Sequence, residues 1–269
     1  MSTGVYITKR KDGSTVYRVS ITYKRKHISL GTFPDYDTAS IVYTEGRAIV
    51  ESTHISLEDY QIDMKIPHNK FVSLVNFRDN GLYFATPIYL RKKYFEYYLS
   101  PSHILKFDRD DLFFYASHKI QQRGGYLFVC DYGSQYKILS RYGIRPFAVY
   151  GRDYIMVNGD MHDYRYSNIK IINNYNGVTV HSEKGKDYYI ASIHINGNYI
   201  VGKYSSELYA AIAYNKAVDI LHVNGFTKAY IKNYIQTLKK EEYLLIYKEI
   251  KVSKKLLGLT PDTMDKESD

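Results

Sequence analysis

Three side chains able to bind a metal ion or move a proton, Asp160, His162 and Asp163, follow the turn-forming Asn158-Gly159, and Asn168 lies just beyond them. Phosphodiester hydrolysis needs this kind of set. A group titrating near neutrality deprotonates a water, and oxygen ligands hold a divalent cation that stabilises charge on the phosphate. A polar loop around an Asn-Gly-Asp turn uses the same residue types for local hydrogen bonding, so both readings stand at this level.

A second chemistry is electrostatic. Between residues 8 and 26 the chain carries seven Lys or Arg against one acid, Asp12, and over all 269 residues Lys plus Arg outnumber Asp plus Glu by 37 to 28, a net charge of +9. That balance favours a polyanionic partner. Arg91-Lys92-Lys93, flanked by Tyr89, Tyr94, Tyr97 and Tyr98, suits a DNA backbone or a solvated amphipathic helix. Cys130 is the single cysteine, which excludes an intrachain disulfide and a Cys-based zinc site. His54, His68, His103 and His118 show no metal-ligand spacing and read as surface residues, and no Gly-rich phosphate loop is present. Neither a metal nor a cofactor is expected. No run approaches the roughly 18 apolar residues of a spanning helix, and the start MSTGVYITKRKDG has no apolar leader core. The expectation is a protein without membrane association, in the cytoplasm.

The elements that must position these groups are visible as a repeat. A segment beginning Gly4-Val5 and another beginning Gly177-Val178 each continue through a charged turn (Lys11-Asp12-Gly13; Lys184-Gly185-Lys186) into an alternating run. In the first, Tyr17, Val19, Ile21 and Tyr23 alternate with Arg18, Ser20, Thr22 and Lys24. In the second, Tyr189, Ala191, Ile193 and Ile195 alternate with Ile190, Ser192, His194 and Asn196. Period two predicts strands with one buried face. Gly31 and Gly202 close a further strand, each with an aromatic two residues on (Phe33, Tyr204), and Ala39/Ala210 and Tyr43/Tyr214 fall at matching distances within helix-forming stretches. Each copy therefore reads as three antiparallel strands packed by one helix.

A single helix covers only one face of such a sheet. The free face of the first copy carries Arg18, Ser20, Thr22 and Lys24, with Lys9, Arg10, Lys11, Arg25 and Lys26 in the connecting turns; the second carries Ser192, His194, Asn196 and Asn198, with Thr179, His181 and Lys184. A ribbon of this kind fits the major groove, where Arg, Asn, Ser and Thr read base edges and Lys neutralises phosphate. A solvated sheet face is the alternative.

Both segments resemble the AP2 domain in its phage and mobile-element form, through the Gly-Val start, Tyr-x-Val-x-Ile, Leu30-Gly31-Thr32-Phe33, the Ala-rich helix after Tyr36, and Asn224-Gly225 after the second helix. The resemblance covers about 45 residues at each end and implies base contacts from Tyr6, Thr8, Arg10, Arg18, Ser20, Thr22, His27 and Ser29. In the second copy it implies them from Thr179, His181, Ser192, His194, Asn198 and Ile200. The first copy is also similar to the arm-binding domain of tyrosine recombinases. The stretch Tyr126 to Asn173 resembles the HNH domain of phage homing endonucleases, with its chemistry replaced. On that resemblance Ser140 stands for the upstream histidine, Ile155 for the metal-ligand aspartate, Met156 for the general-base histidine and Tyr164 for the base-orienting asparagine, while Asn168 keeps a ligand position. Met and Ile neither take a proton nor hold a cation.

The fold expected is α+β: two AP2-like modules flanking a degenerate HNH-like ββα domain, with C-terminal helices. The divisions are 1–50 for the first module, 51–65 for a linker or short helix, 66–174 for the central domain, 175–230 for the second module, 231–258 for the helical extension, and 259–269 for a disordered tail. The amphipathic extension either packs back on the second module or forms a homo-oligomer surface. Function is expected to be sequence-specific binding of double-stranded DNA without catalysis, as a phage or prophage regulator or repressor in a bacterial host. An active endonuclease using Asp160, His162, Asp163 and Asn168, and an architectural or recombination accessory protein, are the alternatives.

Overall fold

In a computed structural model the chain is described over residues 4–261; most of the expected tail thus lies outside the described residues. The fold is mixed α+β, built on several small antiparallel three-stranded sheets and a few helices. The chain divides into two compact units, one running to Ile138 and including Met156–Asn168, the other comprising Leu139–Ile155 and the chain from Ile169 onward.

The first unit opens with β1 (Val5–Lys9), β2 (Thr15–Tyr23) and β3 (Lys26–Phe33), in that order across the sheet, followed by α1 (Tyr36–Glu51). Asp35 caps α1, its carboxylate accepting from the Thr38 N–H at 2.7 Å. Ala39, Val42, Gly46, Ile49 and Val50, at helical spacing, form its buried side. They meet Val5, Val19, Ile21, Ile28 and Leu30 from the sheet.

The same core continues past residue 50. Ile66 and the Phe71, Leu74, Val75 and Phe77 side chains of α2 (His68–Asn80) belong to it, and Ile55, Leu57, Tyr60 and Met64 pack on its edge. The expected boundaries at 50 and 65 are therefore not domain boundaries, because α2 supplies apolar cover the small sheet and one helix lack. Residues 51–65, expected as a linker, are anchored, with a 3-10 turn at Leu57–Asp59 and the Glu45 carboxylate accepting from the Ile66 N–H at 2.6 Å. After α2, which ends on a left-handed Gly81, come β4 (Ile88–Leu90), β5 (Tyr94–Ser100) and β6 (His103–Asp108), then α3 (Leu112–Ser117), and a third sheet of β7 (Ile120–Arg123), β8 (Tyr126–Asp131) and β9 (Ser134–Lys137). Arg91-Lys92-Lys93 is the tight turn between β4 and β5, not a helix, with Arg91 N–H donating to the Tyr94 carbonyl at 2.9 Å.

The strands on either side of residues 157–168, β10 (Tyr154–Met156) and β11 (Ile169–Ile171), form a two-stranded sheet. Then β12 (Val178–Glu183), β13 (Lys186–His194) and β14 (Asn198–Tyr204) repeat the first sheet, and α4 (Glu207–Val223) repeats α1. The repeat extends to an irregularity. Pairing in the first sheet passes from Val19–Gly31 to Ser20–Ser29 and skips Leu30; in the second it passes from Ala191–Gly202 to Ser192–Ile200 and skips Val201. Both skipped side chains are fully buried, so each bulge turns an extra apolar residue into its core.

The α-helix of the expected ββα domain is absent from Tyr126 to Asn173, where the only helical turns among the described residues are the 3-10 turns at Ile138–Tyr142 and Tyr166–Asn168. Of the C-terminal extension, α5 (Lys240–Glu249) and α6 (Lys254–Leu257) pack back on α4, with Leu256 fully buried and Tyr243, Ile246, Tyr247 and Ile250 against the same core. No helix among the described residues is long and apolar enough to cross a membrane.

Candidate nucleic-acid interface

Strand register decides which side chains share the uncovered face. In the first sheet Tyr6 pairs with Arg18, Thr8 with Val16, Ser20 with Ser29, Thr22 with His27, and Arg18 with Thr32. Val19, Ile21, Ile28 and Leu30 point into the core. Tyr6, Arg18, Thr22, His27, Ser29 and Thr32 are exposed, as are Arg10, Lys11 and Arg25 in the turns, and Thr8 is half-buried. Thr32 is a member of this face that the alternation of β2 alone does not reveal, although its offset from Phe33 places it there.

Three of the expected residues stand elsewhere. Ser20 shares the face by parity but is only 8% exposed, at the bulge where β1 begins and its N–H donates to the Gly4 carbonyl. Lys9, the last residue of β1, has the parity of Val5 and Ile7 and so the opposite side from Thr8. Lys24 is not in a strand. It and Arg25 form the two-residue turn with φ of 44° and 63°, the type I′ geometry that matches strand twist. From there its ammonium donates to the Arg78 carbonyl at 3.0 Å and lies 5.3 Å from the Tyr23 ring centroid. Lys26 is drawn the same way, over Tyr83 at 5.2 Å.

In the second sheet Thr179 pairs with Ile190, His181 with Tyr188, Ser192 with Ile200, and His194 with Asn198. These share one face, exposed at His181, His194, Asn198 and Ile200 and half-buried at Thr179 and Ser192. Its polar groups are already ordered by one another. Thr179 Oγ1 lies 3.1 Å from His181 Nε2, the His181 ring stacks on Tyr188, and His194 Nδ1 lies 3.1 Å from Asn198 Oδ1. Asn196 is in the turn, not on the strand, and Lys184 with Gly185 makes the other two-residue turn, at φ 52° and 76°. Tyr188 and Lys203, whose ammonium sits 3.4 Å from the Tyr188 ring centroid, are further members that the sequence did not single out. Extending the alternation two residues back from Ile190 finds Tyr188.

The residues around the Asn-Gly-Asp turn are brought together in the first unit, but as a mutually bonded structure. Segment 162–164 adds to the edge of β6: Lys106 N–H donates to the His162 carbonyl at 2.9 Å and Tyr164 N–H to the Lys106 carbonyl at 2.8 Å. Asp160 is paired to Lys106 at 2.9 Å, and the His162 N–H with that ammonium holds its pKa below the ordinary carboxylate value. Asp163 is fully buried. Burial raises its pKa, but bonds from Arg165 at 2.8 and 2.5 Å and from Asn158 Nδ2 at 2.9 Å outweigh that and leave it lowered. Asn168, expected to keep a ligand position, is also buried. Its Oδ1 accepts from the Asn158 N–H and its Nδ2 donates to the Asp163 carbonyl, each at 2.8 Å. Met156 and Tyr164 are core residues, Tyr164 stacked on Phe107 at 5.5 Å, whereas Ser140 is exposed and Ile155 half-buried. Among the described residues no three His, Cys, Asp or Glu side chains converge as metal ligands.

His68 is half-buried between Tyr60 and Tyr98, not on the surface, and burial lowers its pKa. Compared with known protein families, curated proteins and solved structures, the chain matches none.

Proposed function

We propose that this chain binds double-stranded DNA through the uncovered faces of its two repeated sheets, without cutting it, and acts as a sequence-specific regulator. One observation carries the reading: the same sheet, with the same bulge, occurs twice, and in each copy the helix covers one face and leaves the other lined with hydrogen-bonding side chains. In the first copy that face is Tyr6, Thr8, Arg18, Thr22, His27 and Ser29 beside the basic turns, a mixture suited to phosphate contact and guanine recognition. In the second it is the preordered Thr179, His181, Ser192, His194 and Asn198, more suited to base discrimination. Two such faces on one chain raise the effective concentration of the second contact once the first is made. The AP2 resemblance points the same way. Loss of cleavage is supported by the pairing of Asp160 and Asp163 with Lys106 and Arg165.

The test is selection of bound sequences from random duplexes by the full chain, followed by affinity measured between about 50 and 200 mM salt. An enriched motif bound with steep salt dependence is expected; no enrichment and no salt-dependent binding overturns the reading. Incubating the selected duplex with Mg²⁺ or Mn²⁺ is expected to leave it intact. Cleavage lost on His162→Ala overturns the non-cutting part.

A further inference from the structure

In the second unit a cavity of about 450 Å³ opens beside the sheet face just described. Its lining includes Ser192, His194 and Asn198 from that face, and Arg145, Arg152 and Lys228 from the chain before and after the module, with no carboxylate among the lining residues. The size falls in the range of about 300–1,000 Å³ usual for small-ligand sites. Behind the wall, Asp153 accepts from Arg145 Nη2 at 2.8 Å and Arg152 Nη2 at 2.7 Å. Two guanidinium groups therefore share one carboxylate. Lys228 donates to the His194 carbonyl at 2.9 Å, a neutral acceptor that leaves its charge uncompensated. The cavity is left with two positive charges in excess.

Two further features point to a ligand. Arg145 Nε is buried without a hydrogen-bond partner, and leaving such a donor unsatisfied costs about 1–3 kcal/mol. Phe147, on the same wall, is 78% exposed, at the third position of the turn that the Ala148 N–H closes on the Arg145 carbonyl at 3.2 Å, and gives the cavity an aromatic rim.

We propose that this cavity takes a nucleotide phosphate, received by the Arg145 and Arg152 guanidinium groups and by Lys228, with the attached sugar and base against Phe147. Guanidinium forks match the geometry of phosphate oxygens. Such a phosphate belongs either to the backbone of DNA lying on the sheet face or to a free nucleotide. The inference rests on the DNA reading only for that choice of source.

The experiment titrates the full-length protein with inorganic phosphate and with AMP, following the Arg145 Nε–H and the backbone amides of Lys228 and Ala229 by NMR. Saturable shifts are expected, weakened at least tenfold in Ala229→Glu, which sets a carboxylate on an exposed part of the wall, and in the double variant Arg152→Gln, Lys228→Gln. In parallel the salt dependence of duplex binding is compared. A slope reduced by about 0.9 for each phosphate that the variant no longer neutralises assigns the site to the DNA backbone. An unchanged slope, with AMP binding more tightly than inorganic phosphate, assigns it to a free nucleotide. If neither ligand moves these resonances and the variants leave the slope unchanged, the proposal is overturned. The phosphate titration needs no DNA, so failure of the DNA reading is seen separately.

Discussion

Gly177 stands so close to Tyr214 that a β-carbon on it would lie 2.3 Å from the ring, and 2.4 Å from the Ser192 carbonyl oxygen. Gly4 stands in the same relation to Tyr43 and the Ser20 carbonyl, at 2.2 and 2.5 Å. In both places the glycine carbonyl accepts from the serine N–H, at 2.7 Å from Ser192 and 2.9 Å from Ser20. The Gly-Val openings of the repeat are thus where the backbone threads between a helix tyrosine and the central strand.

Gly177→Ala and Gly4→Ala are accordingly expected to destabilise their own units by about 1–3 kcal/mol or more, because the clash includes backbone that cannot step aside. Gly185→Ala is the comparison. Like Gly177, at 67°, it has a positive φ, 76°, but a β-carbon there meets nothing within 4 Å, so only conformational strain is felt. Urea denaturation of the three variants reads the difference, and equal midpoints for Gly177→Ala and Gly185→Ala would count against the packing account.

The repeat was legible in sequence because glycine, tyrosine and strand alternation recur at matching distances, and these are what the packing demands. Lys24 was not legible. A type I′ turn is usually signalled by Asn-Gly, and Lys24-Arg25 lacks that signal, so the alternation ran on through it. The membership of α2 in the first core was hidden for another reason: which apolar face covers which is a tertiary fact, and Phe71 and Leu74 carry no mark of their partner. Around Asn158–Asn168 the residue types were visible, but not that Lys106, more than fifty positions earlier, neutralises Asp160.

The register sorts the basic residues for the proposed DNA contact, by whether they stand on the uncovered face and its turns or are held against other parts of the chain. Arg18→Ala is expected to weaken binding to the selected duplex by roughly 1–3 kcal/mol and relax its sequence preference, and Lys11→Ala to lower the salt slope by about one. Ser20→Ala is expected to leave both unchanged, since the side chain is covered, and Lys24→Ala to leave the sequence preference unchanged, since its ammonium is held on the Arg78 carbonyl and not on the sheet face. Fluorescence anisotropy on the selected and on scrambled duplexes across a salt series distinguishes the variants; a sequence preference relaxed by Lys24→Ala would contradict the assignment. Point substitutions are preferable to removing residues 1–50, which would strip the cover from Ile66, Phe71 and Leu74.

Two buried carboxylates couple stability to acid. Burial raises the pKa of Asp153, but Arg152, the Val149 N–H and Arg145 together hold it below its ordinary 3.8, and Asp163 is lowered in the same way. A carboxylate with a depressed folded pKa stabilises the protein above its unfolded value, and that contribution is lost as pH falls through the folded one. Stability is therefore expected to be level from neutrality to about pH 4 as far as these groups act, and to fall below it. Asp153→Ala should cost about 3–5 kcal/mol at pH 7, since it strands Arg145, 12% exposed, without its partner. It should also flatten the acid limb of the second unit. An unaltered limb in a pH series of denaturation curves would remove Asp153 from this role.

The C-terminal helices offer the last discrimination, between packing within the chain and association between chains. Leu256 is fully buried against the core of the second unit, and Asn224 Nδ2 donates to the carbonyls of Leu256 at 3.2 Å and Leu259 at 2.8 Å, fastening the turn that carries it. Leu244, Leu245 and Leu257 are exposed on the other side. Leu256→Ala removes methyl groups from a filled site and is expected to cost about 2–5 kcal/mol, with the sedimentation coefficient unchanged at any protein concentration where the chain is folded. Leu245→Glu should leave stability within about 0.5 kcal/mol. If Leu245→Glu instead shifts sedimentation toward a smaller species, the exposed side of these helices is an oligomer surface, and the packed side alone does not account for the extension.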